Sequence, residues 1–261
     1  MPIPETFAEL QAHRGVMVCL SRHRARATYS LAKLRDVGFT NVELYEGVDG
    51  FTEDVRRIAA AEGWSFHPKT PATRIGCALS TIRLWRQVVE RRLPYLLIFQ
   101  DDVLPRPDVA ILGPRYWEDT PRDVDFVYLG NQMTVEPHEE GHLVVQALSW
   151  CLHAYIVSSE AAHRALQLLS WPQRDLLEGD IDGIDTQIRQ WMELGVIRWA
   201  CWNGTHLPKA FPTSDEVARW SDPPPDVAWS ARDTGLFHQN HTLGSTIQEP
   251  EIVWPGPREN A

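Results

Sequence analysis

The chain has 261 residues, 43% hydrophobic and 23% charged, with a net charge of −10. This composition can bury a core without disulfide staples and excludes disordered, collagen-like and coiled-coil chains. The charge is uneven: residues 1–100 carry 14 Lys/Arg against 10 Asp/Glu, and the remainder 11 against 25, which disfavours non-specific nucleic-acid binding but leaves the first part able to hold a small anion such as a nucleotide diphosphate.

No run of about 18 apolar residues exists, so no membrane span is expected. The start, MPIPETFAELQAH, lacks a basic-then-apolar leader. Cys19, Cys77, Cys151 and Cys201 are far apart with no CxxC spacing and suit buried thiols. A cytoplasmic location is therefore expected, the host cytoplasm for a viral chain. The N-x-T sequons at Asn203 and Asn240 are expected to be chance matches.

In chain order, Val16 to Leu20 predicts a strand, followed by the basic SRHRAR segment. Ala25 to Val37 predicts a helix with Gly38 as its stop, and Val42 to Tyr45 a second strand leading into the turn-rich EGVDG. Thr52 is expected to cap a helix ending at Gly63. Ile75 to Arg91 is the strongest helix, with Ala78, Ile82, Trp85 and Val89 on one face. Tyr95 to Phe99 is a continuous apolar run and suits a central strand buried on both faces. Strands follow at Asp125 to Leu129, Leu143 to Val145, Leu152 to Val157 and Ile197 to Trp202. Ser158 or Ser159 caps one helix among them, and Asp185 to Leu194 predicts another. The alternation predicts an α/β fold with a mostly parallel sheet. Beyond Phe211 the prolines predict a loop-rich region.

The best local signal for chemistry is Gln100-Asp101-Asp102-Val103, at the end of the apolar strand. Ligands of open α/β sheets bind at the carboxyl ends of strands. Two adjacent acids there suit a divalent cation, which prefers oxygen ligands. Strand alternation puts Gln100 and Asp102 on one face and turns Asp101 away. Asp102 is thus the expected metal ligand and Asp101 a supporting or sugar-contacting residue. His138-Glu139-Glu140-Gly141-His142 fits the H-E-x-x-H zinc pattern, but Pro137 and Gly141 argue for a loop rather than the helix that chemistry requires.

The order of motifs resembles glycosyltransferase family 25. Those motifs are Leu20-Ser21-Arg22, Val48-Asp49-Gly50, Gly76-Cys77-Ala78-Leu79-Ser80-Thr81, the Gln100 to Val103 segment, and late in the chain Gln239 with Ser245. The resemblance is good over about 16–130 and weaker to about 246. It implies a GT-A-like fold, a mixed, mostly parallel sheet flanked by helices in a single domain. It further implies transfer of a hexose from a nucleotide sugar, a UDP-sugar above all, often aided by Mn²⁺ or Mg²⁺. Residues 1–222 would form the transferase domain and the Pro-rich residues 223–261 would complete the site.

The resemblance assigns donor contacts to Leu20, Arg22, Asp49, Arg74, Ser80, Asp101 and Gln239, with Arg26 also able to face the donor. It assigns metal contacts to Asp102, Gln100 and His238, with His241 as an alternative to His238. Asp185, with Asp182 next and Asp180 beside them, is the expected general base. Two positions depart from the pattern: Gln100 replaces the family's first acid and removes one negative charge, and Thr81 replaces its His. The acceptor is expected to be a glycan, with a hydroxylated amino acid or a hydroxylated nucleobase in DNA as alternatives. A non-catalytic sugar-nucleotide-binding protein is the reading from another class, motivated by Gln100.

Overall fold

The computed structural model describes residues 4–106, 108–133, 142–170, 183–203 and 233–239. A short helix, α1 (Phe7–Ala12), opens with a capping box between Thr6 and Glu9. Then follow β1 (Gly15–Cys19), a 3₁₀ turn (Ser21–His23), α2 (Arg24–Asp36), β2 (Val42–Glu46), α3 (Val55–Ala61), α4 (Ala72–Glu90) and β3 (Tyr95–Gln100). The chain continues through β4 (Val103–Pro105), α5 (Val109–Asp119), β5 (Phe126–Met133), β6 (Val144–Val145), β7 (Ser149–Ser158), α6 (Ser159–Ser170), α7 (Ile184–Glu193) and β8 (Trp199–Trp202). β9 (Asp233–Gly235) and β10 (Phe237–Gln239) complete the described elements.

The main sheet has the order β2-β1-β3-β7-β5-β8-β6, with β9 paired to β5. β1 runs parallel to β2 and β3, and β5 parallel to β8. β7 is antiparallel to both β3 and β5, so β2, β1, β3, β5 and β8 all run one way. This is the mixed, mostly parallel, helix-flanked sheet expected of a GT-A-like fold.

β3 explains the apolar run at its centre. Leu96 and Ile98 enter one core, whereas Tyr95, Leu97 and Phe99 enter the other. The first core lies under α3, α4, α6 and α7, where Trp85 packs edge-on against Phe126 and tilts against Trp191. The second lies under α1, α2 and α5, where Phe39 meets Phe99 and Phe237. Such alternation is what a strand covered on both faces requires. Trp85, Trp117, Trp191 and Trp202 are all fully buried. Packing, not sugar contact, accounts for these four.

Several elements differ from the sequence expectation. Thr52 does not cap α3, which begins at Val55 with the Asp54 side chain accepting the Arg57 N–H. α5 was hidden by Gly113-Pro114, yet it forms because its apolar face, with Leu112, Tyr116 and Trp117, closes the second core. β10 pairs antiparallel with β4, so part of the Pro-rich segment returns beside the Gln100 to Val103 turn. Asn203 is buried and its Nδ2 donates to the His142 carbonyl, so this sequon is a packed core amide; Asn240 lies outside the described residues. The four cysteines are free thiols. No described helix is long and apolar enough to cross a membrane.

The turn after β2 and the start of α4 touch through glycine. A Cβ on Gly76 would lie 2.5 Å from the Val48 carbonyl oxygen and 3.0 Å from Gly50 N. Gly76→Ala must separate two backbones, and is expected to cost about 1–3 kcal/mol, read as a lower melting temperature in calorimetry.

Candidate active site

β1 sits between β2 and β3, and the β1–β2 and β2–β3 connections lie on opposite faces of the sheet. α2 joins β1 to β2 over the second core, whereas α3 and α4 join β2 to β3 over the first. Divergence of this kind opens a crevice at the carboxyl ends of the strands. Here the crevice is an open cleft whose walls include Leu20, Arg22, Asp49, Phe51, Ser80, Gln100 and Asp101.

The floor is fixed by a buried ion pair. Arg26, 1% exposed on the first turn of α2, donates from Nη2 to Asp101 Oδ1 at 2.5 Å. One turn later the Ser30 hydroxyl donates to the Asp101 carbonyl oxygen at 2.9 Å. α2 is thereby pinned to the end of β3. Burial pushes the Asp101 carboxyl above the usual range; Arg26 pulls it back down, and the neighbouring Asp102 charge raises it again. Arg26 therefore faces Asp101 rather than open cleft.

Strand alternation fails at this point. β3 ends at Gln100, and Asp101 and Asp102 occupy a turn. Gln100 and Asp101 line the cleft together and Asp102 lies behind them, both acids being buried, at 3% and 2% exposure. A period of two holds only while the chain remains extended.

The rim is built around Arg22. Its Nε donates to His23 Nε2 at 3.0 Å, its Nη1 lies 3.4 Å from Asp49 Oδ2, and its guanidinium stacks 4.4 Å from the Phe51 ring centre. Accepting that bond leaves His23 Nε2 without a proton. Burial pushes the His23 pKa down to about 4, helped by the positive charges of Arg26 and Arg22 and opposed by Asp49 and Asp102. Asp49 also organises its own turn, with Oδ1 accepting the Phe51 N–H at 2.9 Å.

Ser80 lies in the wall, but its hydroxyl accepts the Val48 N–H and donates to the Gly76 carbonyl, both at 2.8 Å. It clamps the Val48-Asp49-Gly50 turn onto α4. Thr73, not Arg74, lines the cleft from the first turn of α4. Thr81, in the place of the family's His, bonds back to the Cys77 carbonyl. Sequence reasoning missed Phe51 and Thr73 as cleft residues; the signal for Phe51 was an aromatic residue directly after the Val-Asp-Gly turn.

Asp185 enters from the other half of the chain, in the first turn of α7. Gly183, not an acid, is the N-cap residue there. Burial pushes the pKa of the Cys77 thiol in the cleft wall up to about 12, and the charges of Asp185, Asp102 and Asp101 all push the same way. Asp180 and Asp182 lie outside the described residues, as do His241, Ser245 and His138 to Gly141. His142 sits in a loop before β6 and not on a helix. The β10–β4 register sets His238 opposite Leu104 and Gln239 opposite Val103, so both backbones lie next to the acidic turn.

These residues offer limited support for a bound cation. Among the described residues no three His, Cys, Asp or Glu side chains converge on one point. Gln100 is neutral, and Asp101 already compensates Arg26. Mg²⁺ takes most of its six oxygens from water and substrate phosphates, so a cation here would rest on Asp102 and Gln100 together with the donor's own diphosphate.

The family model described as glycosyltransferase family 25 (LPS biosynthesis protein) matches residues 67–149. Residues 67–149 are thus similar to that family. That segment holds α4, β3 and the acidic turn, and therefore one wall and the floor of the cleft. Curated relatives include a probable inactive glycosyltransferase 25 family member 3 of Bos taurus, 31% identical over 115 residues, covering 41% of this chain and 19% of the relative. The inactive glycosyltransferase 25 family member 3 of Mus musculus is 25% identical over 181 residues, covering 62% and 30%. The chain thus spans less than a third of the length of these relatives. Among solved structures, mouse xyloside xylosyltransferase 1 in its apo form aligns at a TM-score of 0.42 and 13% identity, covering 72% of this chain and 83% of that one. The galactosyltransferase LgtC in complex with donor and acceptor sugar analogs aligns at 0.39 and 13% identity, covering 74% of each.

Two outcomes test the electrostatics of this cleft. Asp101→Leu strands a guanidinium that cannot lose its proton, whereas Arg26→Met strands a carboxyl that can take one up. Denaturant unfolding should show the Asp101 variant as the weaker, with losses of about 3–5 kcal/mol, and the double variant should recover most of the loss. For His23 the folded pKa lies below the unfolded value of 6.5, so the unfolded chain binds more protons between about pH 6.5 and 4, and stability falls as pH drops through that window. His23→Gln should flatten that part of the stability–pH curve.

Proposed function

We propose that this protein is a glycosyltransferase that moves a hexose from a nucleotide sugar, a UDP-sugar first among them, to an acceptor hydroxyl on a glycan. The observation that carries this reading is the cleft at the strand ends, where the turn of the family 25 segment meets the Arg22–Asp49 rim. In the proposed displacement the acceptor oxygen forms a bond to the anomeric carbon. The bond from that carbon to the diphosphate breaks, its electron pair stays on the diphosphate oxygen, and the acceptor proton passes to Asp185. Arg22 faces the charge that grows on the leaving group. Leu20, Gly50 and Thr73 shape the donor pocket, and Ser80 holds its turn in place. Mn²⁺ or Mg²⁺ at Asp102 and Gln100, joined by His238, is a further proposal that the assay below tests directly.

A second reading is a non-catalytic sugar-nucleotide-binding protein. It is favoured by Gln100, by the compensation of Asp101 by Arg26, and by the word inactive in the names of both curated relatives.

Purified protein incubated with UDP-, GDP- and ADP-sugars, in Mn²⁺, Mg²⁺ or EDTA, separates the two. The transferase reading expects release of one nucleotide, slowed about 10²–10⁴-fold by Asp185→Asn with donor affinity kept. Binding without release in every condition supports the second reading. Absence of both binding and release rejects both.

A further inference from the structure

Phe51 is one of few large apolar side chains left exposed among the described residues, at 42%, and it is the one that lines the cleft. Ile111, Leu194 and Val196, the other exposed large hydrophobics, lie elsewhere. Its position is firmly held. The Asp49 carboxylate accepts the Phe51 N–H, and the following Thr52 and Glu53 N–H groups bond to the Asp49 carbonyl. Behind it, a Cβ on Gly50 would meet the Ala72 carbonyl at 2.3 Å, so the turn already rests on α4 and has no room to retreat.

One side of the ring is covered by the Arg22 guanidinium, which His23 and Asp49 hold in place. An aromatic ring kept at a cleft mouth against water, backed by a fixed planar cation, is suited to receive a second planar group. We infer that Phe51, backed by Arg22, is the stacking platform for the nucleobase of the donor; this rests on the nucleotide-sugar reading above.

The layout of the sheet favours the base over a sugar ring at this place. Phe51 follows β2 and the acidic turn follows β3, with β1 between them. Two strand spacings separate β2 from β3, about 10 Å, the distance that separates a base from the far end of its diphosphate. With the base on Phe51, the diphosphate and sugar lie toward Gln100 and Asp101. Every base has a π face, so stacking alone contributes affinity without choosing among bases.

The test is titration of the full chain with UDP and with GDP, by calorimetry, with melting curves as a control for folding. Phe51→Ala should weaken both nucleotides about ten-fold or more, and Phe51→Trp should stay within about two-fold of the parent. In turnover assays Phe51→Ala should raise the donor KM with kcat nearly unchanged. Three outcomes overturn the inference while leaving the nucleotide-sugar reading intact: parental UDP affinity in Phe51→Ala, equal losses in Phe51→Ala and Phe51→Trp, or a rise confined to the acceptor KM. A parent chain that binds no nucleotide overturns the nucleotide-sugar reading itself, and the platform with it.

Discussion

The buried pair between Arg26 and Asp101 is the constraint on which the cleft depends. It ties the first turn of α2 to the turn that follows β3, across the point where the chain's connections divide between the two faces of the sheet. Taking both charges out of water is costly, and their attraction offsets that cost only in good geometry with further hydrogen bonds. Ser30 supplies one such bond to the Asp101 backbone. The pair therefore contributes more to where α2 and β3 meet than to net stability. With α2 held there, Arg22 and His23, on the preceding 3₁₀ turn, are presented at the rim.

This placement sets the charge of the site. Asp101 and Asp102 are two acids, but Arg26 balances one of them, and Gln100 contributes none. The floor thus keeps about one negative charge, while Arg22 at the rim is already held by Asp49. Such a cleft is closer to neutral than a three-acid floor would be. A diphosphate then meets less repulsion from the protein, and less of the attraction that a cation would otherwise bridge.

Much of the fold was legible because its cause is local. The runs at β1 and β3 are apolar, β2 leads into the turn-rich EGVDG, and the α4 apolar face repeats at helical spacing. The location of the acidic turn followed from the same logic. What could not be read has non-local causes. α5 carries Gly113 and Pro114 and forms because the second core needs a lid. β9 and β10 are three-residue strands whose pairing partners, β5 and β4, lie more than 90 residues earlier. Arg26 looks like a solvated residue of a basic stretch until β3 brings Asp101 to it. Alternation assigned faces to Asp101 and Asp102 that hold for a strand, but the strand stops at Gln100. Phe51 drew no attention because a single aromatic residue after a turn has no periodicity to mark it.

A crystal structure of the full chain grown with UDP tests the central claim most directly. The result expected is nucleotide density across the carboxyl ends of β2, β1 and β3, with the diphosphate between Arg22 and the Gln100-Asp101 floor. The result that would contradict the account is nucleotide bound elsewhere, such as the groove around Asp125, His163 and Arg198 at the other end of the strands, with the strand-end cleft empty.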